Sequence, residues 1–224
     1  MVAVVAARAA RYVAPMIDLA PTAAALGCET VALRAVVKVE SGGRGINPDG
    51  RPVIRLEAHH LWKHADTADK AAVDTRFRVL PQADGSKKPW LGHEFLIESG
   101  VAANSGSEWR KMHTGQTLEW TAYMVAQEID PDAAMRATSW GAGQILGVYE
   151  RLGYGTGAEG RAAFRAAQNS EAGQVDCLAR FIKADPLLVT ALRTRDWSGF
   201  ARRYNGSGQV AKYAKRLEAA YRAG

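Results

Sequence analysis

Apolar residues recur at helical spacing through most of the chain. In residues 28–40, Leu33, Val36 and Val37 stand at offsets zero, three and four, with Glu40 at offset seven on the same apolar face. The helix predicted there carries a carboxyl toward the interior, and Gly42, Gly43 and Gly45 then end it and permit a close approach to a cleft. Asn47-Pro48-Asp49-Gly50 reads as a turn. Residues 53–57 read as a short strand, with Val53, Arg55 and Glu57 on one side and Ile54 and Leu56 on the other. The segment 81–89 reads as an exposed loop. Helices are predicted over 115–130, 132–138, 142–152, 159–167, 171–184, 187–192, 196–203 and 209–222. The pattern is mainly α with a small β hairpin.

The length of 224 residues supports one large domain with a substantial core, and 47% hydrophobic residues without a low-complexity tract point to an ordered chain. The net charge of +6, with Arg8 and Arg11 near the start and Arg202, Arg203, Lys212, Lys215 and Arg216 near the end, suits an anionic envelope. It would equally suit nucleic acid, but neither zinc-finger spacing nor a helix-turn-helix pattern supports a specific nucleic-acid partner. Cys28 and Cys177 lack clustered metal spacing and read as free, structural thiols, as expected of a cytoplasmic product. Arg8 and Arg11 interrupt the apolar first residues, which read as a short amphipathic helix rather than a secretory signal or membrane span.

A carboxyl held between a core face and a glycine-rich opening is expected to be partly desolvated, so that it keeps its proton near neutral pH. That is the state of a general acid in glycoside hydrolysis, although a solvent-exposed charge at a helix end would produce the same local pattern for Glu40. His59, His60 and His64 fall short of a metal-ligand pattern and read as satisfied or exposed histidines, with His59 placed to orient Glu57 by a hydrogen bond. No metal, redox cofactor or phosphate-cradling motif is expected. Each of the 6 tryptophans reads first as core. Trp140, beside a glycine-rich segment, is the best candidate for stacking on a sugar.

The ordered segments ALRAVVKVESGGRG, GRPVIRLEAHHLW, SWGAGQILG and RDWSGFARRYNG, running from about Leu26 to Tyr221, resemble the N-acetylmuramidase domain of phage endolysins that act on Gram-negative hosts. The resemblance implies a two-lobed lysozyme-like fold over 26–224, preceded by a helical extension over 1–25. It implies cleavage of the β-1,4 bond between N-acetylmuramic acid and N-acetylglucosamine in peptidoglycan, with Glu40 as the acid. Lytic transglycosylation and non-catalytic wall binding are the alternatives. Glu57 is the preferred second carboxylate and Asp49 its rival; neither inversion nor retention follows from the sequence. Ser41 either orients Glu40 or satisfies the helix end. Gly141 and Gln144 are expected to approach the saccharide, although the family often carries a bulkier residue where Ala142 and Gly143 stand. Tyr204 and Asn205 match the family's Tyr-Asn pair, which approaches bound sugar or water; a helix-terminal turn is the plainer reading. The resemblance further implies a monomer held in the host cytoplasm until a separate membrane-permeabilising factor releases it to the periplasm and cell wall.

Overall fold

A computed structural model describes residues 17–81, 85, 92–97 and 108–224. In chain order the elements are α1 (Ala20–Leu26), α2 (Thr30–Ser41), β1 (Ile54–Leu56), α3 (Ala58–His64), α4 (Lys70–Arg76), β2 (Phe77–Val79), β3 (His93–Ile97) and β4 (Glu108–Lys111). They continue with α5 (Gln116–Ile129), α6 (Pro131–Arg136), β5 (Thr138–Trp140), β6 (Ile145–Leu146), α7 (Gly157–Ala167), α8 (Glu171–Lys183), α9 (Pro186–Thr194), α10 (Trp197–Tyr204) and α11 (Val210–Arg222). The fold is mainly helical and lysozyme-like, as expected. Among the described residues two antiparallel sheets, ordered β1-β5-β6 and β2-β3-β4, stand where one hairpin was expected.

Side-chain caps explain several of the boundaries. Asp130, Ser170, Asp185 and Asp196 accept hydrogen bonds from the first free N–H groups of α6, α8, α9 and α10, and a proline opens both α6 and α9. Gly42 ends α2 at φ +70, where its N–H and that of Gly43 close the last turn onto Lys38 and Val37. Leu33, Val36 and Val37 on α2 are fully buried, as their spacing predicted.

Ile17, Leu19, Ala23 and Leu26 share the core with the rest of the chain, and α1 packs on α8. The boundary expected at residue 25 therefore falls inside a packed unit, and residues 1–16 of the expected extension lie outside the described residues. Most of the expected loop at 81–89 lies outside them too, but Pro81 and Gly85 are exposed.

The helix expected over 142–152 is absent. Ile145, Val148, Tyr149 and Leu152 have helical spacing, yet Ile145 pairs with Trp140 in β5 and the following residues turn rather than coil. Trp140 pairs on its other edge with Ile54, which brings the 141–144 turn beside β1.

Gln174, on α8, locks this turn to the loop that follows α2. Its Nε2 donates to Gly45 O at 3.0 Å and to Gln168 O at 2.8 Å, while its Oε1 accepts from Ala142 N at 2.8 Å. The amide is 2% exposed, so these bonds replace water completely. A Cβ on Gly45 would sit 1.7 Å from Gln174 Oε1 and one on Gly141 2.5 Å from its carboxamide carbon, which explains both glycines. Gln174→Leu keeps the volume but orphans three buried backbone groups, and should destabilise the fold by about 2–4 kcal/mol. Urea unfolding checks this: the midpoint should fall at unchanged slope, and a loss below about 1 kcal/mol would mean that the clamp is dispensable.

Candidate active site

Glu40 lies in the last turn of α2, partly buried, and its Oε1 accepts a hydrogen bond from Asn205 Nδ2 at 3.0 Å. Burial pushes its carboxyl up to about 6 against the opposing pull of the Asn205 hydrogen bond and the Arg216 charge. Its place at the carbonyl end of a helix adds to the cost of ionisation. Arg216, on α11, also donates to Val39 O at 3.0 Å and so fixes the end of α2 against the packed α11. The structure thus sets Glu40 and Asn205, 165 residues apart, in direct contact.

Tyr204 faces the other way. Its hydroxyl donates to Gly143 O at 2.6 Å, and its ring stacks on Phe200 and meets Phe181 edge-on. Burial, then the nearby Glu40, raises its pKa well above the usual tyrosine value. In this arrangement the hydroxyl secures the glycine-rich turn. Gln144 likewise turns inward, donating to Gly141 O at 2.9 Å and to Val53 O at 3.4 Å from a left-handed backbone of φ +48. A Cβ on Gly141 would collide with the Gln174 carboxamide, so packing alone requires the glycine there. Ser41 Oγ donates to Val37 O at 3.0 Å, which favours the helix-end reading of that residue over orientation of Glu40.

Trp140 does not fit the expected stacking role. It is 1% exposed and meets Trp120, Tyr123 and Phe164 edge-on, so it has no face to offer a ligand. Trp62 is exposed, with the Lys70 ammonium 4.4 Å over its ring.

The two candidate second carboxylates are held differently. Asp49 is exposed in its turn and clamped by Arg51 at 2.7 Å, whose hydrogen bonds keep its carboxyl below the usual range. Glu57 is half-buried at the start of α3. Its Oε1 accepts from Arg55 Nε at 2.6 Å, and its Oε2 faces His59 Nδ1 at 3.8 Å and His93 Nδ1 at 3.7 Å. The expected hydrogen bond from His59 to Glu57 is not made at that distance. Burial, then the charge of His60, pushes the His59 imidazole down to about 4. Burial, then Glu40, raises the pKa of the Tyr213 hydroxyl on α11.

Sequence reasoning missed Gln174, Arg216, Tyr213 and His93. Gln174 did leave a signal: with Cys177 and Leu178 it occupies an apolar helical stripe, the same pattern that exposed Glu40. A groove of about 670 Å3 lined by Leu187, Thr190, Asp196 and Arg202 has no wall in common with this site.

A largely helical fold with a desolvated carboxyl beside paired glycine-rich loops defines a lysozyme-like glycosidase. The chain belongs to the N-acetylmuramidase family, whose pattern matches residues 29–223. It is similar to the endolysin of Burkholderia AP3 phage, seen in a crystal structure, at 31% identity and a TM-score of 0.64, over 92% of this chain and 69% of that one. No curated protein matches the chain. The family makes it a glycoside hydrolase of peptidoglycan.

The raised carboxyl has a cost that pH exposes. Folded Glu40 keeps its proton up to about 6, whereas a free carboxyl loses it near 4.5. Between those values the native state binds more protons than the unfolded chain, so stability falls as pH rises and then levels off. The loss amounts to at most about 2 kcal/mol, less whatever solvent screens at the partly exposed side chain. Glu40→Gln removes the titration, so denaturation should find it more stable than wild type at pH 8 but equal near pH 4. A stability difference independent of pH would contradict the desolvated carboxyl.

Proposed function

We propose that the protein hydrolyses the β-1,4 bond between N-acetylmuramic acid and N-acetylglucosamine, with Glu40 as the general acid. The observation that carries this reading is the partly buried carboxyl of Glu40, protonated up to about pH 6 and oriented by Asn205. Such a group delivers its proton to the glycosidic oxygen as the bond to the sugar breaks. Asn205 Nδ2, which donates to Oε1, favours the carboxylate left behind and so supports the product side of the transfer.

Of the two candidate partners, Glu57 has the better support. Asp49 is an exposed turn residue occupied by Arg51, whereas Glu57 is half-buried, with one carboxylate oxygen held by Arg55 and the other without a hydrogen bond. Ser41, Gly141, Gln144 and Tyr204 are proposed to shape the cleft from behind, through the contacts that fix its loops. The proposed partner is bacterial peptidoglycan, met by a monomer that a separate membrane-permeabilising factor releases from the host cytoplasm. Among the described residues no helix is long and apolar enough to cross a membrane.

Mass spectrometry of digested peptidoglycan tests the reaction. Reducing muramyl ends are expected; 1,6-anhydromuramyl ends would make the enzyme a lytic transglycosylase, and no new ends a wall-binding protein. Glu40→Gln should lose nearly all turnover while remaining folded, about 2–4 kcal/mol or more in activation free energy. Glu57→Gln should impair turnover more than Asp49→Asn, and the reverse order would move the second role to Asp49.

The pH profile gives a separate check. The basic limb of kcat/KM should fall near pH 6 as Glu40 loses its proton. Asn205→Ala removes a hydrogen bond that favours the charged form, so the limb should move to higher pH. A downward shift would show that Asn205 stabilises the protonated acid instead.

A further inference from the structure

Arg216 stands beside the acid with most of its hydrogen-bonding capacity unused. It lies on α11, which packs along α2, and its Nη2 donates at 3.0 Å to the carbonyl of Val39, one residue before Glu40. Its guanidinium carbon lies 5.5 Å from the centre of the Tyr213 ring, one helical turn earlier. These two contacts hold an exposed arginine in a fixed place. They use only one of the five N–H donors of a guanidinium.

Other exposed arginines of the same region are neutralised. Arg195, Arg203 and Arg222 each hold a carboxylate, of Glu29, Asp185 and Glu218, whereas no carboxylate of the described residues comes within ion-pair distance of Arg216. Capping the end of α2 accounts for one N–H and for a charge near the helix C-terminus, a task that lysine does equally well. The charge is also misplaced for the acid, because burial raises the Glu40 carboxyl and Arg216 works against that rise. A cation fixed beside a general acid with an unsatisfied, planar fork suits a carboxylate that arrives with the substrate.

The sugar backbone of peptidoglycan is uncharged, and its carboxylates belong to the short peptides attached to N-acetylmuramic acid. We propose that Arg216 binds a stem-peptide carboxylate beside the scissile bond, and so makes the protein prefer glycan that carries charged peptides. The assignment rests on reading the Glu40 cleft as the peptidoglycan site. Once paired with this carboxylate, Arg216 no longer opposes the proton on Glu40, so the substrate itself favours the acid form that the transfer needs.

Binding of soluble peptidoglycan strands to the full chain, with Glu40→Gln in every protein to prevent turnover, tests the proposal. One batch of strands keeps its stem carboxylates, and in the other they are converted to primary amides. The charged strands should bind about three- to ten-fold more tightly than the amidated ones at low salt. Adding Arg216→Gln should abolish this preference by weakening the charged strands alone, with circular dichroism confirming the fold. Lys215→Gln, one position away and about 100° round the helix, should retain it. Equal binding of the two batches by the parent protein overturns the proposal without any further variant. So does a preference that survives Arg216→Gln, whether or not affinity falls for both batches alike. A loss of preference in Lys215→Gln equal to that in Arg216→Gln overturns it too, in favour of diffuse positive charge. The readout is binding alone, so failure of the β-1,4 hydrolysis reading shows in the digestion products and failure of the Arg216 assignment shows here.

Discussion

The Gln174 carboxamide satisfies three backbone groups from three segments at once, and the placement of the loops around Glu40 depends on it. Gly45 belongs to the loop leaving α2, Ala142 to the turn leaving β5, and Gln168 to the end of α7. Because all three bonds are buried, moving one segment relative to the others would strand a donor or an acceptor away from water. The glycines at 45 and 141 follow from the same constraint, since a side chain at either place would collide with the amide. Tyr204 closes the arrangement from the opposite side by bonding the next carbonyl along the turn, at Gly143. The loops beside Glu40 are therefore held in place by buried hydrogen bonds.

This rigidity allows the fold to keep a carboxyl where it is poorly solvated. Glu40 sits where burial and the helix dipole both oppose its charge. Its surroundings could relax that opposition by opening to water, but α2 is anchored along its whole length. Leu33, Val36 and Val37 bury one face of the helix, and Arg216 bonds the Val39 carbonyl next to the acid. The conflict is therefore retained by packing around the site, a pattern expected where local stability yields to chemistry.

How much of this was legible in the sequence differs from element to element. The α2 helix and its inward carboxyl could be read because both facts are local: a 3.6-residue period and a glycine stop. Helices with aspartate or serine caps, such as α8 and α10, were placed nearly correctly for the same reason. The stretch 142–152 misled because four apolar residues at helical spacing can also face a core from a series of turns. Only the pairing of β5 with β1 and β6 decides between the two. Trp140 misled because neighbouring glycines suggested an opening, whereas here glycine is required by close packing against Gln174. His93 left no local sign at all, since its approach to Glu57 depends on where β3 lies.

Tyr204 and Asn205 show why a motif can be right about place and still ambiguous about chemistry. They are adjacent at the end of α10, so a helix turns their side chains about 100° apart. Tyr204 consequently bonds Gly143 inside the fold, while Asn205 reaches Glu40 at the more exposed face. The pair acts as a single rigid coupling, because the residue that orients the acid is fixed to the residue that orients the opposite loop. Displacing the glycine-rich turn would move Tyr204, and with it the hydrogen bond that biases Glu40 toward its charged form. The hydrogen bond on the acid and the position of the 141–144 turn are thus tied to neighbouring positions at the end of one short helix.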